Sequence, residues 1–172
     1  MPDLSGEHIQ AHVAAALAED IGEGDVTTNA LVDAQRRCQG HIVSREPLNY
    51  CGRDLIETVF QQLDAEAVIT HFHSDGDEVP AGAIIATIDA SARALLTGER
   101  TALNYAQRLS GVATQAARYV AAVSGTGVLL LDTRKTTPGW RDLEKYAVQC
   151  GGARNHRYGL DDMVMILSLI HI

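Results

Sequence analysis

The stretch that decides the fold is Val-Leu-Leu-Leu-Asp-Thr-Arg-Lys-Thr-Thr-Pro-Gly, residues 128–139. It opens with an apolar run that does not alternate, which is typical of a strand covered on both faces in a parallel sheet. The loop that follows leads into a helix predicted over 140–150, and a second apolar strand is predicted over 163–166. Because parallel strands need a crossover connection, these elements predict one βαβ unit.

The residues before this unit follow a different pattern, in which short strands and helices are mixed. The predicted fold class is therefore α/β: an α+β N-terminal domain over 1–112, followed by the start of an incomplete α/β barrel over 113–166. Apolar periodicity and β-branched runs predict the individual elements. Helices are expected over 5–19, over 54–63 and from 91 onward, and strands over 40–45, 68–73 and 83–88.

The charge of the chain is unevenly distributed. The 172 residues carry a formal net charge of −8, yet residues 134–157 hold six basic and two acidic residues. A nucleic-acid partner is not expected, because tracking phosphates needs an extended positive surface. A local cationic stretch suits a pocket for a small anion. The alternative interpretation is a helix with a solvated basic face.

Membrane association and extracytoplasmic chemistry are also disfavoured. No apolar run approaches the roughly 18 residues that a membrane span requires, and residues 1–7 lack a signal-peptide pattern. We therefore expect a cytoplasmic protein. Cys38, Cys51 and Cys150 are odd in number and form no C-x-x-C pair, so reduced thiols are expected. A zinc site built from them would need further ligands.

Two short segments are candidates for an anion site. Arg134 and Lys135 directly follow the predicted strand, and chemistry in α/β proteins sits at the carboxyl ends of strands. Arginine offers a bidentate fork for carboxylate or phosphate, and lysine offers a mobile point charge. His156 and Arg157 follow a Gly-Gly break and form the second candidate. For the first segment, an ordinary loop with surface cations is an equal alternative.

Other patterns carry weaker signals. Arg100 belongs to a Glu-Arg pair that is ordinarily a solvated helix contact. His71 and His73 would share one strand face, but no third ligand has a clear spacing, so no metal site is assigned. The hairpin over 75–85 resembles that of biotinyl and lipoyl carrier domains. No lysine precedes Lys135, so we interpret this hairpin as scaffold.

Taken together, five segments resemble the quinolinate phosphoribosyltransferase family, and the likeness extends from the first helix to Ile166. The resemblance implies a pentosyltransferase of NAD biosynthesis. Such an enzyme converts quinolinate and phosphoribosyl diphosphate to nicotinate mononucleotide, diphosphate and CO2. The D-T-R-K-T-T-P-G run is the most specific of these segments, which are residues 19–27, 96–104, 109–114, 132–139 and 155–157.

The resemblance also implies roles for particular residues. Arg134, His156 and Arg157 match the family positions that grip the quinolinate carboxylates, and Lys135 matches one close to phosphoribosyl diphosphate. These four are the expected catalytic residues. Arg100 matches an arginine that reaches the partner's site in a homodimer. Mg²⁺ is expected with the diphosphate, and its protein ligands are expected outside this chain.

The family pattern breaks after Ile166. The family continues with lysine, commonly in a Lys-x-Asn-His run, whereas residues 167–172 read Leu-Ser-Leu-Ile-His-Ile. We expect this tail to be foreign to the family, and the chain by itself to lack activity because the barrel is incomplete. Two alternatives remain at this point. One is a related phosphoribosyltransferase-like protein of the molybdenum-transport locus, and the other is a non-catalytic dimerisation module.

Overall fold

The computed structural model describes residues 4–166 as an antiparallel layer with helices, followed by residues 128–157, here called the βα segment, in which an extended run with one parallel bridge precedes α5. Within this range no helix is both long and apolar enough to cross a membrane. The elements in chain order are α1 Gly6–Ile21, α2 Val26–Leu31, β1 Arg37–Val43, β2 Leu48–Asn49, α3 Arg53–Leu63, β3 Val68–His71, β4 Glu78–Val79, β5 Ile84–Ser91, α4 Ala92–Ala122 and α5 Arg141–Cys150.

The main sheet has β5 at its centre, with β1 and β3 antiparallel on either side, while β2 and β4 form a separate pair. Helices α3 and α4 pack on each other, and α1 packs on α3. Ile9, Val13 and Leu17 are buried, as their spacing of four residues predicts. Ile56 and Val59 of α3 are fully buried in the same core, so the periodicity of both helices is confirmed.

The helices differ in how their N-termini are capped. Ser5 makes no side-chain cap hydrogen bond at the start of α1. The carboxylate of Asp25 accepts a hydrogen bond from the Thr28 amide at 2.9 Å, and this cap begins α2, a helix that the sequence pattern did not predict. The hydroxyl of Ser91 accepts from the Ala94 amide at 3.1 Å and begins α4 as expected.

Helix α4 is continuous over 31 residues, and both Gly98 and Gly111 lie inside it. A Cβ at position 98 would lie 2.8 Å from Leu63 Cδ1 and 3.1 Å from Val59 Cγ1, both on α3. Glycine is therefore needed for the close approach of α3 and α4. The helix also runs through the predicted domain boundary at 112.

The parallel pairing differs from the predicted βαβ unit. Residues 163–166 are not a strand. Instead, Leu131 forms a parallel bridge with Arg154, whose amide donates to the Leu130 carbonyl oxygen at 3.0 Å. The reason lies in the turn directly after α5. There Gly152 adopts a φ of +83°, and the chain returns beside residues 130–131 within two residues.

The apolar run over 128–131 is also more exposed to solvent than expected. Val128 is 59% exposed and Leu129 is 62% exposed, so the prediction of a strand buried on both faces is wrong for the described residues. In the range 4–166 this run has a single bridged neighbour, at Arg154. A strand acquires two covered faces only when helices pack on both sides of a sheet.

The packing of α5 on α4 predicts a strong effect at Gly151. A Cβ there would overlap the carbonyl oxygen of Ala113 and lie 2.6 Å from the Ala116 Cβ. We expect Gly151→Ala to lower the free energy of unfolding by about 1–3 kcal/mol, measured by urea denaturation. Gly111→Ala is the control, because nothing lies within 4 Å of the added Cβ. Equal stability of the two variants would contradict this packing.

Candidate functional site

The site is organised around the carboxylate of Asp132, at the end of the apolar run. Its Oδ1 accepts hydrogen bonds from Lys145 Nζ at 2.6 Å and from the His156 amide at 2.7 Å. The side chains of Lys145 and Asp132 are 1% and 6% exposed. One buried ion pair therefore joins the first loop, α5 and the loop after α5. Removing one member of such a pair strands a buried charge.

Further polar contacts complete this arrangement. Lys145 Nζ also donates to the carbonyl oxygen of His156 at 3.1 Å. With its NH2 group oriented toward Asp132, the Asn155 side chain donates to Oδ2 at 2.8 Å and to the Lys145 carbonyl oxygen at 3.0 Å. Both oxygens of Asp132 are thus occupied by internal donors, and we interpret this residue as an anchor for the two loops.

Glu144 fixes the other end of the first loop. Its carboxylate accepts from the Thr137 amide at 3.1 Å, the Thr137 hydroxyl at 2.8 Å and Arg108 Nη2 at 2.7 Å. Burial raises the pKa of Glu144, but the hydrogen bonds from Arg108 and Thr137 outweigh it and leave the pKa below its usual value. The loop is therefore held at both ends by neighbouring side chains of α5.

The predicted arginines lie on the two loops that Asp132 joins. Arg134 is half-buried and follows Asp132, while Arg157 is half-buried and follows His156. In the described range, the Nε atoms of Arg134 and Arg157 are buried and have no hydrogen-bond partner. Arg157 Nη1 donates to the Met163 carbonyl oxygen at 3.1 Å, which ties down one end of its guanidinium. Buried donors without a partner are costly, and an anion would satisfy them.

The remaining predicted site residues are divided between a cavity, the neighbouring loop and α4. His156 and Arg157 line one cavity of about 430 Å³ together with Lys145. Arg134 and Lys135 lie on the neighbouring loop, where Lys135 is exposed, and neither of them lines this cavity. Arg100 is exposed on α4, and its side chain makes no hydrogen bond within the described residues. The structure thus brings His156 and Arg157 together, places Arg134 on the adjoining loop, and leaves Arg100 apart.

A second cavity does not suit a polyanion. It measures about 650 Å³, lies between α4 and residues 130–132, and is lined mainly by apolar side chains. Arg108 is the one cation in its lining, and its Nη2 is bound to Glu144. Charge recognition therefore favours the smaller cavity beside the Asp132 anchor.

The sequence interpretation missed how the basic stretch is used. Lys145 belongs to the basic stretch over 134–157, but it is buried against Asp132 and is not available to a ligand. Arg141 is likewise engaged, with Nε donating to the Thr136 hydroxyl at 3.1 Å. Helical periodicity gives no signal for Lys145, because it lies two residues from both Leu143 and Ala147 and so on the opposite side of α5 from these two buried positions.

The fold is of the α/β class, and the two loops that Asp132 joins form a candidate anion site. A family model described as "Quinolinate phosphoribosyl transferase, N-terminal domain" matches residues 25–110, and the model of the C-terminal domain matches residues 112–171. The chain therefore belongs to the quinolinate phosphoribosyltransferase family, as its motifs predicted. The second match continues into the tail at 167–172, whose predicted departure from the family lies outside the residues that the structure describes.

Individual relatives agree with this assignment. The chain is 45% identical over 150 residues to a probable nicotinate-nucleotide pyrophosphorylase [carboxylating] of Synechocystis sp., covering 87% of this chain and 50% of the relative. It is 43% identical over 148 residues to the Bacillus subtilis relative of the same name, covering 86% and 51%. The chain spans about half the length of the curated relatives that it matches.

Solved structures show the same fold and confirm the predicted class. The nicotinate-nucleotide pyrophosphorylase from Francisella tularensis superposes with a TM-score of 0.90 at 41% identity, covering 94% of this chain and 58% of that one. NadC from Streptococcus pyogenes superposes with a TM-score of 0.92 at 39% identity, covering 95% and 58%.

The buried ion pair predicts a large effect of Asp132→Asn. Asparagine keeps an acceptor for the His156 amide but removes the charge that faces Lys145. We expect a loss of about 3–5 kcal/mol in the free energy of unfolding, measured by urea denaturation. The double variant D132N/K145M removes both charges and should regain much of this loss.

A matched control for Asp132→Asn is Asp20→Asn, at an exposed position near the end of α1. This change should alter the free energy of unfolding by no more than about 0.5 kcal/mol. If D132N were as stable as D20N, the ion pair would not be the anchor of the two loops.

Proposed function

We propose that the chain forms part of an enzyme that transfers the phosphoribosyl group of phosphoribosyl diphosphate to quinolinate, with loss of CO2. The product is nicotinate mononucleotide, a precursor of NAD. The observation that carries this proposal is the pair of buried, unpartnered Nε donors of Arg134 and Arg157 on two loops joined by Asp132. The names of the relatives favour this reaction over the molybdenum-locus and dimerisation alternatives.

Recognition of quinolinate follows from charge. The substrate carries two carboxylates on adjacent ring positions, and guanidinium groups bind carboxylates through paired N–H donors. Arg134 and Arg157 supply such groups, and His156 lies beside Arg157 in the same cavity. Lys135 is exposed and supplies a mobile point charge for the diphosphate.

The chemistry then depends mainly on position and charge. Departure of diphosphate leaves an oxocarbenium-like ribose, and the pyridine nitrogen of quinolinate attacks its C1′. Holding both substrates in line lowers the barrier, and fixed cations neutralise the leaving group. The ring nitrogen is now positively charged, so it stabilises the carbanion left at C2 when CO2 departs, and a proton then replaces CO2.

Mg²⁺ enters this proposal with the diphosphate. Within residues 4–166, the single group of three metal-ligating side chains close to one another is Cys51, Asp75 and Cys150. Thiolates suit soft metals, whereas Mg²⁺ prefers oxygen ligands. The described residues therefore do not fit a magnesium cage, and we assign no step to a metal held by them.

The proposal includes a cytoplasmic homodimer in which Arg100 serves the partner's site. Arg100 is exposed on α4, whereas Arg93 on the same helix donates to the Val32 carbonyl oxygen at 2.8 Å and is internally engaged. The exposed guanidinium supports a role toward another chain. Three free cysteines support a reducing compartment.

Quinolinate binding tests the site directly. Isothermal calorimetry should detect quinolinate binding to this chain, with nicotinate, which has one carboxylate, bound more weakly. Arg134→Ala should weaken quinolinate binding at least about 30-fold, because truncating one partner of a charged pair costs about 2–5 kcal/mol. The control is Arg45→Ala, because Arg45 is exposed and has no assigned role in the site. Unchanged affinity of R134A would refute the assigned role.

The dimer proposal is tested by mixing two defective chains. Arg100→Ala and Arg134→Ala should each bind quinolinate poorly alone. If Arg100 serves the partner, random mixing restores about a quarter of the sites, since half of the dimers are mixed and each holds one intact site. Calorimetric stoichiometry of the mixture measures this fraction. Binding no greater than the average of the two separate variants would show that Arg100 acts within its own chain or not at all.

A further inference from the structure

Two cysteines that are distant in the sequence meet in the fold. The sulfur atoms of Cys51 and Cys150 and one carboxylate oxygen of Asp75 all lie within 4.8 Å of one another. Cys51 is fully buried just before α3, and Cys150 is half-buried at the last turn of α5. The pair therefore joins the antiparallel layer to the βα segment that carries the anion site. This contact could not be predicted from the sequence, because 98 residues separate the two cysteines and they form no short motif.

Asp75 already has a structural role beside the thiols. Its Oδ1 accepts from the amides of Gly52 at 2.9 Å and Arg53 at 3.1 Å, which satisfies the start of α3. Its Oδ2 accepts from the Tyr146 hydroxyl at 3.0 Å. A closed zinc site uses four ligands, whereas only three candidate ligands lie close together among the described residues. One of the three, Asp75, already accepts hydrogen bonds from three donors. The geometry therefore favours chemistry between the two thiols over metal binding.

The two thiols have unequal surroundings. The neighbouring Cys51 thiol lowers the pKa of the Cys150 thiol, against the opposing effect of burial. The same contact with Cys150, together with burial, raises the pKa of Cys51. Cys150 is also the more exposed of the two. Cys150 is therefore the thiol that is suited to act as the first nucleophile, and Cys51 lies close enough to attack the oxidised Cys150 sulfur afterwards.

We propose that Cys51 and Cys150 are a peroxide-sensitive dithiol that closes to a disulfide between the start of α3 and the end of α5. In the first step the Cys150 sulfur attacks hydrogen peroxide, so that an S–O bond forms, the O–O bond breaks and water leaves after protonation. In the second step the Cys51 sulfur attacks the sulfenic acid, so that the S–S bond forms, the S–O bond breaks and the released hydroxide takes the Cys51 proton. Two thiols and one peroxide thus give one disulfide and two waters.

The position of the bond gives it a consequence for the fold. Cys150 directly precedes the Gly151–Gly152 turn that leads to Arg154 and the loop of the anion site. A cross-link there ties the end of α5 to the antiparallel layer and closes a long loop in the unfolded chain. Such closure stabilises the folded state relative to the unfolded one.

The test uses the Cys38→Ser variant, which retains Cys51 and Cys150 as the only cysteines. One equivalent of hydrogen peroxide should lower its intact mass by two hydrogen atoms. Peptide mapping without reductant should recover a linked pair of peptides containing Cys51 and Cys150, and dithiothreitol should reverse both changes. The oxidised protein should also show a Tm higher by several degrees. Cys38→Ser/Cys150→Ala, the matched control, should show no linked pair and no rise in Tm.

Three results would overturn the proposal. The first is a peroxide-treated C38S chain in which iodoacetamide still labels both thiols. The second is oxidation of Cys150 to the sulfinic acid without any link to Cys51. The third is stoichiometric zinc in the purified protein that protects both thiols from peroxide, which would assign the cluster to a metal. None of these results depends on whether quinolinate binds, so a failure here is separable from a failure of the proposed function.

Discussion

The buried ion pair between Asp132 and Lys145 is the constraint on which the site depends. Removing two charges from water is costly, and the attraction between them compensates only when the remaining polar atoms are also satisfied. Here the His156 amide and the Asn155 side chain complete the shell of Asp132. The net gain in the free energy of folding from such a pair is small, but the pair holds the two loops in one geometry. One carboxylate thereby sets the separation of two loops that belong to different parts of the βα segment.

This arrangement explains which cations remain for a ligand. Within the basic stretch over 134–157, Lys145 is neutralised by Asp132 and Arg141 donates to the Thr136 hydroxyl, so these two residues are structural rather than ligand-binding. Arg134 and Arg157 differ, because each keeps a buried Nε without a partner among the described residues. A buried donor that lacks an acceptor costs free energy in the free protein, and an anion that supplies the acceptor recovers it. The site thus combines loops whose polar groups are hydrogen-bonded internally with two arginine donors that lack a partner. The two carboxylates of a dicarboxylate are acceptors of the kind that these donors require.

Sequence reasoning succeeded where the signal was local or carried by a specific motif. The spacing of Ile9, Val13 and Leu17 predicted the buried face of α1, and the D-T-R-K-T-T-P-G run identified the family. It failed where a distant contact decides the outcome. A strand is predicted over 163–166, but the turn after α5 makes Arg154 the partner of Leu131, and residues 163–166 are not a strand. The predicted roles of the site cations stay predictions, since they concern ligands and a second chain.

The central claim is that the unpartnered Nε donors of the two loop arginines serve a bound anion. The most direct measurement is the NMR signal of each arginine Nε–H, followed while quinolinate is added to this chain. The account predicts that the Arg134 and Arg157 signals shift together and that their hydrogens become protected from exchange with water, while the exposed Arg45 signal does not move. Quinolinate saturation that leaves the Arg134 and Arg157 signals unshifted and unprotected would contradict it.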